Sequence, residues 1–183
     1  MRSTIIILNG VSSAGKSSLA RAIQQAANTT FLHVEMDAFL SFLPPGHEFR
    51  PDWFTVRKVE VAGTILPRIS NGPRGETLLG VMRRFVIEAG RKELDMVVDE
   101  VCHAKEINEY RAGLSGCQVQ VVKVFAPIDV IEEREKARGD RMIGLAREQS
   151  SHLHNGIAYD VAVDTNSASH QTLAEIILGQ LEN

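Results

Sequence analysis

The sequence predicts an α/β fold in which a five-stranded parallel sheet is flanked by helices on both faces. Two observations lead to this prediction. Five short apolar runs rich in Val and Ile alternate with segments whose apolar residues recur at helical spacing. A glycine-rich loop also connects the first of these runs to the first helical segment. Such alternation is typical of βαβ units, whose strands pair in parallel.

The first part of the chain gives two strands and two helices in turn. Thr4–Leu8 is an uninterrupted β-branched and aliphatic run, which is typical of a buried strand. Ser17–Ala27 carries its apolar residues on one helical face, so a helix is expected there. Phe31–Glu35 is the second predicted strand, and Ala38–Leu43 is a short predicted helix that Pro44-Pro45 ends.

The middle of the chain is the least regular part. We expect Gly46–Ile69 to be helical in part, around Phe54–Leu66. Pro73–Ala89 has helical spacing, with Gly90 as the expected stop. The alternation then resumes with predicted strands at Leu94–Val98, Val119–Phe125 and Val161–Val163, and predicted helices at Lys105–Leu114, Asp129–Arg138, Arg141–His154 and Gln171–Leu181.

Composition narrows the class of protein. The composition is even along the 183 residues, so we expect one domain over residues 1–183. A net charge of −3 and 5% aromatic residues argue against nucleic acid as a partner. The longest aliphatic run at the start, Ile5–Leu8, is far short of the ~20 residues of a membrane span and too short for a secretory signal. Two cysteines without a CxxC pair favour reduced thiols and a cytoplasmic protein, whose homo-oligomeric state stays open.

A phosphate-binding motif follows the first predicted strand. Residues 10–17 match GxxxxGK[ST] in the strand–loop–helix context that this motif requires, and the P-loop NTPase fold is therefore expected. Lys16 is expected to reach the β- and γ-phosphates, and the Ser17 hydroxyl to hold Mg²⁺. The residues expected to bind ATP in this loop are Gly10, Val11, Ser12, Ser13, Ala14, Gly15, Lys16, Ser17 and Ser18.

The remaining motifs favour a small kinase, with the three-layer sandwich of nucleoside and nucleotide kinases. A GTPase would need an Asn-Lys-x-Asp motif, which is absent. Asp37, just past the second predicted strand, suits either a general base or a helix N-cap, and its position alone leaves both open. Asp99 ends a strand expected beside the loop and would reach Mg²⁺ through water, unless it is only a turn residue.

Cations for the transferring phosphoryl group are expected in a lid over about residues 129–150. Arg134, Arg138 and Arg141 would share one face of a helix there, although a charged helix exposed to solvent has the same pattern.

Several blocks resemble the chloramphenicol phosphotransferase family nearly from end to end. The matching segments are Ile7–Ser17, Asp37, Gly72-Pro73, Asp99-Glu100-Val101, Arg134–Arg141, Gly144-x-Ala146 with Gln149, Leu153–Asp160 and Val163-Asp164-Thr165. The resemblance implies ATP-dependent phosphorylation of a hydroxyl on a small molecule, with Asp37 as the base and Thr165 near the adenine. In the best-known member the acceptor is the primary hydroxyl of chloramphenicol, and its phosphorylation confers antibiotic resistance.

The sequence does not identify the acceptor molecule. Gly46–Ile69, which should help to build the acceptor pocket, does not match the family pattern. A nucleoside, nucleotide or other metabolite kinase is therefore an alternative. An ATP-binding regulatory protein that hydrolyses ATP without an acceptor is another.

Overall fold

A computed structural model describes residues 2–139 and 142–181. The strands are β1 (Thr4–Asn9), β2 (Leu32–Glu35), β3 (Phe54–Val61), β4 (Thr64–Asn71), β5 (Met96–Glu100), β6 (Gln118–Phe125) and β7 (Val161–Asp164). The helices are α1 (Lys16–Ala26), α2 (Met36–Leu40), α3 (Pro73–Arg91), α4 (Ala104–Gly113), α5 (Ile128–Arg138), α6 (Leu145–Ser150) and α7 (His170–Gly179).

The main sheet confirms the predicted fold. Its five strands run in the order β2-β5-β1-β6-β7, and every pairing is parallel. Because β1 lies at the centre, both faces of its aliphatic run are buried. Ile6 and Leu8 pack with α1 and α7 on one face, whereas Ile5 and Ile7 pack with α3 and α4 on the other.

A second, two-stranded antiparallel sheet replaces the helix expected over Phe54–Leu66, so that prediction was wrong. β3 and β4 pair along their whole length and are joined at Ala62-Gly63, where both residues have positive φ (48° and 79°). A two-residue turn with two positive φ angles is the hairpin turn that matches strand twist. Thr55, Val56 and Ile65 belong to a β-branched set that favours strands, and this signal was present in the sequence.

The helix boundaries also correct two expectations. Gly90 does not end α3, which continues to Arg91. A Cβ at Gly90 would lie 2.8 Å from the Leu114 side chain, so this glycine serves close packing. Gly144, with a φ of 86°, precedes α6 and limits it to Leu145–Ser150 within the span where a longer helix was expected. Within the described ranges, no helix is both long and apolar enough to cross a membrane.

Candidate active site

One open cleft of about 1090 Å³ lies beyond the carboxyl ends of β1, β2 and β5. The phosphate-binding loop forms its floor, α2 and the β3–β4 hairpin form one wall, and α6 forms another. Parallel strands bring their carboxyl ends together at one edge, which is where ligands bind in such sheets. Glu35 of β2 pairs with Asp99 of β5, and Leu8 of β1 pairs with the same Asp99.

The loop backbone explains both motif glycines. Gly15 has a φ of 94°, a left-handed conformation in which an L side chain is strained. Gly10 needs space instead, because a Cβ there would lie 2.2 Å from the carbonyl oxygen of Val124. Both glycines therefore let the loop fold tightly at the start of α1.

The three residues with the most specific predicted roles lie together. The Ser17 hydroxyl donates to Asp99 Oδ2 at 2.6 Å, and Lys16 Nζ lies 3.7 Å from Asp99 Oδ1. The Lys16 ammonium also donates to the carbonyls of Gly10 and Val11 at 3.0 and 3.2 Å. Lys16 and Asp99 are both buried, so their charges act where water screens them weakly.

Two residues not identified from the sequence extend this group. One ligand atom each from His33, Glu35 and Asp99 lies within 4.8 Å of the others. The His33 Nε2 atom is buried and has no hydrogen-bond partner. With Ser17 Oγ beside them, these mostly oxygen donors fit a hard divalent cation such as Mg²⁺. His33 and Glu35 lie two residues apart, on one face of the predicted strand Phe31–Glu35, and this spacing was the sequence signal that could have located them.

Asp37 lines the cleft, and its position in α2 tests the alternative that it is a helix N-cap. α2 begins at Met36 and its N-cap is Glu35, so Asp37 is the second residue inside the helix. The interpretation of Asp37 as the N-cap is therefore wrong. Asp37 therefore belongs to the wall of the cleft that α2 forms, above the floor made by the phosphate-binding loop.

The structure separates the predicted lid arginines. Arg138 lines the cleft. Arg134 instead donates to Thr165, from Nη1 to Oγ1 at 2.9 Å and from Nη2 to the carbonyl at 3.2 Å. Thr165 is buried and donates to the Ala14 carbonyl at 2.8 Å, so Arg134 and Thr165 are held against the loop rather than in the lining of the cleft. Arg141 lies outside the described residues.

Helix α6 joins three parts of the site. The fully buried Glu135 carboxylate of α5 accepts from the backbone N–H groups of Gly144 and Ala146, at 3.0 and 2.8 Å, at the start of α6. Glu148 of α6 is bonded to Arg68 of the hairpin. Gln149 Oε1 accepts from the backbone N–H of Ser12 at 2.8 Å. None of these contacts was predicted, and two of them, Arg68 with Glu148 and Ser12 with Gln149, join residues far apart in the sequence.

A buried network of Arg83, Glu100 and Tyr110 borders the cleft. Glu100 accepts from Arg83 Nη1 at 2.8 Å and from the Tyr110 hydroxyl at 2.6 Å. Burial raises the pKa of the Glu100 carboxyl, against the opposing effects of Tyr110 and Arg83. Burial also raises the pKa of the neighbouring Cys102 thiol well above its ordinary value, so this thiol stays protonated near neutral pH.

The cleft lining also contains a group of apolar side chains. Its apolar side chains come from α2, the following loop, β3 and α3, and they are Leu40, Leu43, Phe49, Phe54 and Leu79. Glu48 and Glu76 add two carboxylates that form no salt bridge within the described residues.

Comparison with known proteins places this geometry in a family. Residues 3–182 match the model of the chloramphenicol phosphotransferase-like protein family. Two proteins from different strains of Mycobacterium tuberculosis, both named as candidate O-phosphotransferases, are 30% identical over 177 residues, which cover 93% of this chain and 78% of theirs.

Solved kinases share the fold at low sequence identity. An APS kinase from Mycobacterium tuberculosis, in complex with AMPPNP and APS, is 14% identical with a TM-score of 0.67, over 100% of this chain and 99% of its own. A gluconokinase from Sinorhizobium meliloti is 19% identical with a TM-score of 0.64, over 98% of this chain and 91% of its own. The family match covers nearly the whole described chain, and the chain belongs to the chloramphenicol phosphotransferase-like protein family.

Proposed function

We propose that this kinase transfers the γ-phosphoryl group of ATP to a hydroxyl of a small molecule. The observation that carries the proposal is the convergence of Lys16, Ser17 and Asp99 on the floor of a cleft whose wall presents Asp37. The names of the two mycobacterial relatives support oxygen as the acceptor atom. Chloramphenicol, through its primary hydroxyl, is the first acceptor to test, and resistance to it is the corresponding biological role.

The loop residues 10–18 hold the phosphates in this proposal. Backbone N–H groups of the loop and the start of α1 bind phosphate oxygens, and Lys16 shifts its ammonium from the Gly10 and Val11 carbonyls towards the β- and γ-phosphates. Ser17, and Asp99 through water, would hold Mg²⁺, which would neutralise part of the phosphate charge. Thr165 and Arg134 lie behind the loop, on the side proposed for the adenine.

Asp37 acts as the general base. Its carboxylate takes the proton of the acceptor hydroxyl while that oxygen forms a bond to the γ-phosphorus and the bond to the β-phosphate oxygen breaks. ADP and the phosphorylated alcohol are the products. Arg138 and Arg141, in the lid over residues 129–150 of a single domain 1–183, stabilise the charge on the transferring group.

The cleft favours an acceptor without a phosphate of its own. Arg68 and Arg83 line it, but each is already paired with a carboxylate, Glu148 and Glu100 respectively. The apolar side chains and the carboxylates of the lining would suit an uncharged, partly apolar alcohol. This supports a small alcohol over the alternative of a nucleotide acceptor. We also infer a cytoplasmic protein, with Cys102 and Cys117 as free buried thiols.

The proposal is tested by acceptor-dependent turnover. ADP release would be measured with ATP and Mg²⁺ alone and with a panel of chloramphenicol, other hydroxylated antibiotics and nucleosides, and products would be checked for the mass of one added phosphoryl group. Release that depends on an acceptor supports the kinase. Release that no acceptor changes would favour the regulatory ATPase instead.

The base assignment is tested by Asp37→Asn. We expect phosphoryl transfer in single turnover to fall by about 10²–10⁴-fold, with ATP affinity and thermal stability close to those of the parent. Glu175→Gln is the control, since Glu175 is an exposed carboxylate on a helix, α7, and lies outside the cleft lining. Transfer by the Asp37 variant within a few-fold of the parent would exclude Asp37 as the base. Glu100, the next carboxylate considered, is held by Arg83 and Tyr110.

A further inference from the structure

The contact between α6 and the phosphate-binding loop fixes the orientation of one amide side chain. The Ser12 backbone N–H can only donate, so the Gln149 atom that faces it at 2.8 Å must be the carbonyl oxygen Oε1. The Nε2 group on the other branch of the amide is therefore directed away from Ser12. Within residues 2–139 and 142–181 it has no hydrogen-bond acceptor, and Gln149 lines the cleft.

The position of Ser12 identifies the end of the phosphate chain that this amide faces. The Lys16 ammonium, which is proposed to reach the β- and γ-phosphates, contacts the carbonyl of Val11, the residue that precedes Ser12. Gln149 is thus anchored beside the portion of the loop where the terminal phosphate is expected. A donor aimed at that position can bind oxygens on which charge accumulates during transfer.

We infer that Gln149 is a catalytic residue whose Nε2 group donates a hydrogen bond to the γ-phosphoryl group, while Oε1 stays on the Ser12 N–H. This inference rests on the proposed phosphotransferase function. Oriented neutral donors of this kind typically contribute about 10²–10³-fold to rate when they act on transition-state charge.

A purely structural role makes a different prediction. Gln149 would then only attach α6 to the loop, and Oε1 would be the atom that matters. α6 has other attachments, because Glu135 caps its first turn and Glu148 joins it to Arg68. Loss of the Nε2 donor alone should therefore leave α6 in place.

The test is Gln149→Glu, which has nearly the same shape. The new carboxylate can still accept from the Ser12 N–H, but the Nε2 donor is replaced by an oxygen. We expect affinity for AMPPNP with Mg²⁺ to fall at least tenfold, affinity for ADP with Mg²⁺ to change less than threefold, and kcat to fall about 10²–10³-fold. Gln149→Ala should show the same selective loss for AMPPNP. Gln25→Glu, at an exposed position on α1, is the matched control.

Equal AMPPNP affinity in the parent and in Gln149→Glu would overturn the inference. So would a loss of thermal stability in Gln149→Ala together with unchanged behaviour of Gln149→Glu, which is the structural outcome. The binding measurements need no acceptor, so they decide the role of Gln149 even if no acceptor in the panel is phosphorylated. In that case the proposed function fails and the binding result stands.

Discussion

The two sides of the cleft are built on different principles. On the phosphate side, the loop between β1 and α1 joins elements packed in the centre of the molecule, and Lys16 and Asp99 beside it are buried. On the acceptor side, the five-residue helix α2 and the β3–β4 hairpin present side chains, several of them largely exposed. On the phosphate side, the loop backbone and Lys16 are proposed to bind ATP, which every reaction of this enzyme would share, whereas side chains on the other side would select the acceptor. Substitutions on the phosphate side should therefore abolish phosphoryl transfer, whereas substitutions on the acceptor side should weaken it in small steps.

Lys16→Ala is the largest expected effect. Loss of the ammonium should reduce phosphoryl transfer more than about 10³-fold with every acceptor, because its charge is proposed to act on the β- and γ-phosphates. The measurement is single-turnover transfer, with circular dichroism to show that the fold is kept. Lys58→Ala, on the exposed part of the hairpin, is the control. Near-normal transfer by the Lys16 variant would contradict the assignment of this side of the cleft to phosphate binding.

A pair of glycine substitutions compares the backbones of the two sides. Gly10→Ala places a Cβ 2.2 Å from the Val124 carbonyl, so the loop must move, and we expect a loss of about 3 kcal/mol in the free energy of unfolding. Gly63→Ala in the hairpin turn meets no atom within 4 Å and has only the strain of its φ of 79°, about 1 kcal/mol. Urea denaturation measures both. Equal losses would contradict the difference in backbone constraint.

Phe49→Ala should affect the acceptor alone. Its ring lines the cleft and is about half exposed (51%), so we expect KM for the acceptor to rise about tenfold while KM for ATP stays within twofold. Phe42→Ala is matched to it, since Phe42 lies in the same region, is more exposed (72%) and does not line the cleft. A parallel rise in both KM values would mean that the two sides are not separable.

The smallest expected effect is a pH dependence on the phosphate side. His154 contacts the Tyr159 hydroxyl at 2.6 Å, and Tyr159 in turn accepts from Asn9 at the end of β1. Burial, followed by the charge of Lys123, lowers the pKa of His154 to about 4. Between about pH 6.5 and 4 the unfolded chain therefore binds a proton at this residue that the folded chain does not, and stability should fall as pH falls through this window.

The measurement for His154 is a series of thermal melts. His154→Gln should show a shallower decline than the parent between pH 6.5 and 4, by about 1 kcal/mol because the ring is only half-buried. Identical profiles for the parent and the variant would show that His154 does not titrate in this way.

The contrast between the two sides also explains what the sequence could predict. The parallel sheet and the phosphate-binding loop follow from local patterns, such as the run Thr4–Leu8 and the motif at residues 10–17, and the structure agrees with them. The hairpin was missed because β3 and β4 have too little buried surface to produce a clean alternation of apolar and polar residues. Contacts such as Ser12 with Gln149 depend on tertiary packing, so no local pattern contains them.

The buried Glu135 carboxylate has a thermodynamic consequence. It accepts hydrogen bonds from the start of α6 and so connects α5 to that helix. In the same short helix, Glu148 is hydrogen-bonded to Arg68 of the hairpin and Gln149 to Ser12 of the phosphate-binding loop. A ligand that displaces the phosphate-binding loop therefore acts on α6 and, through it, on the hairpin, and the reverse also holds. We expect ATP and the acceptor to change each other's dissociation constants, and linkage requires the two factors to be equal.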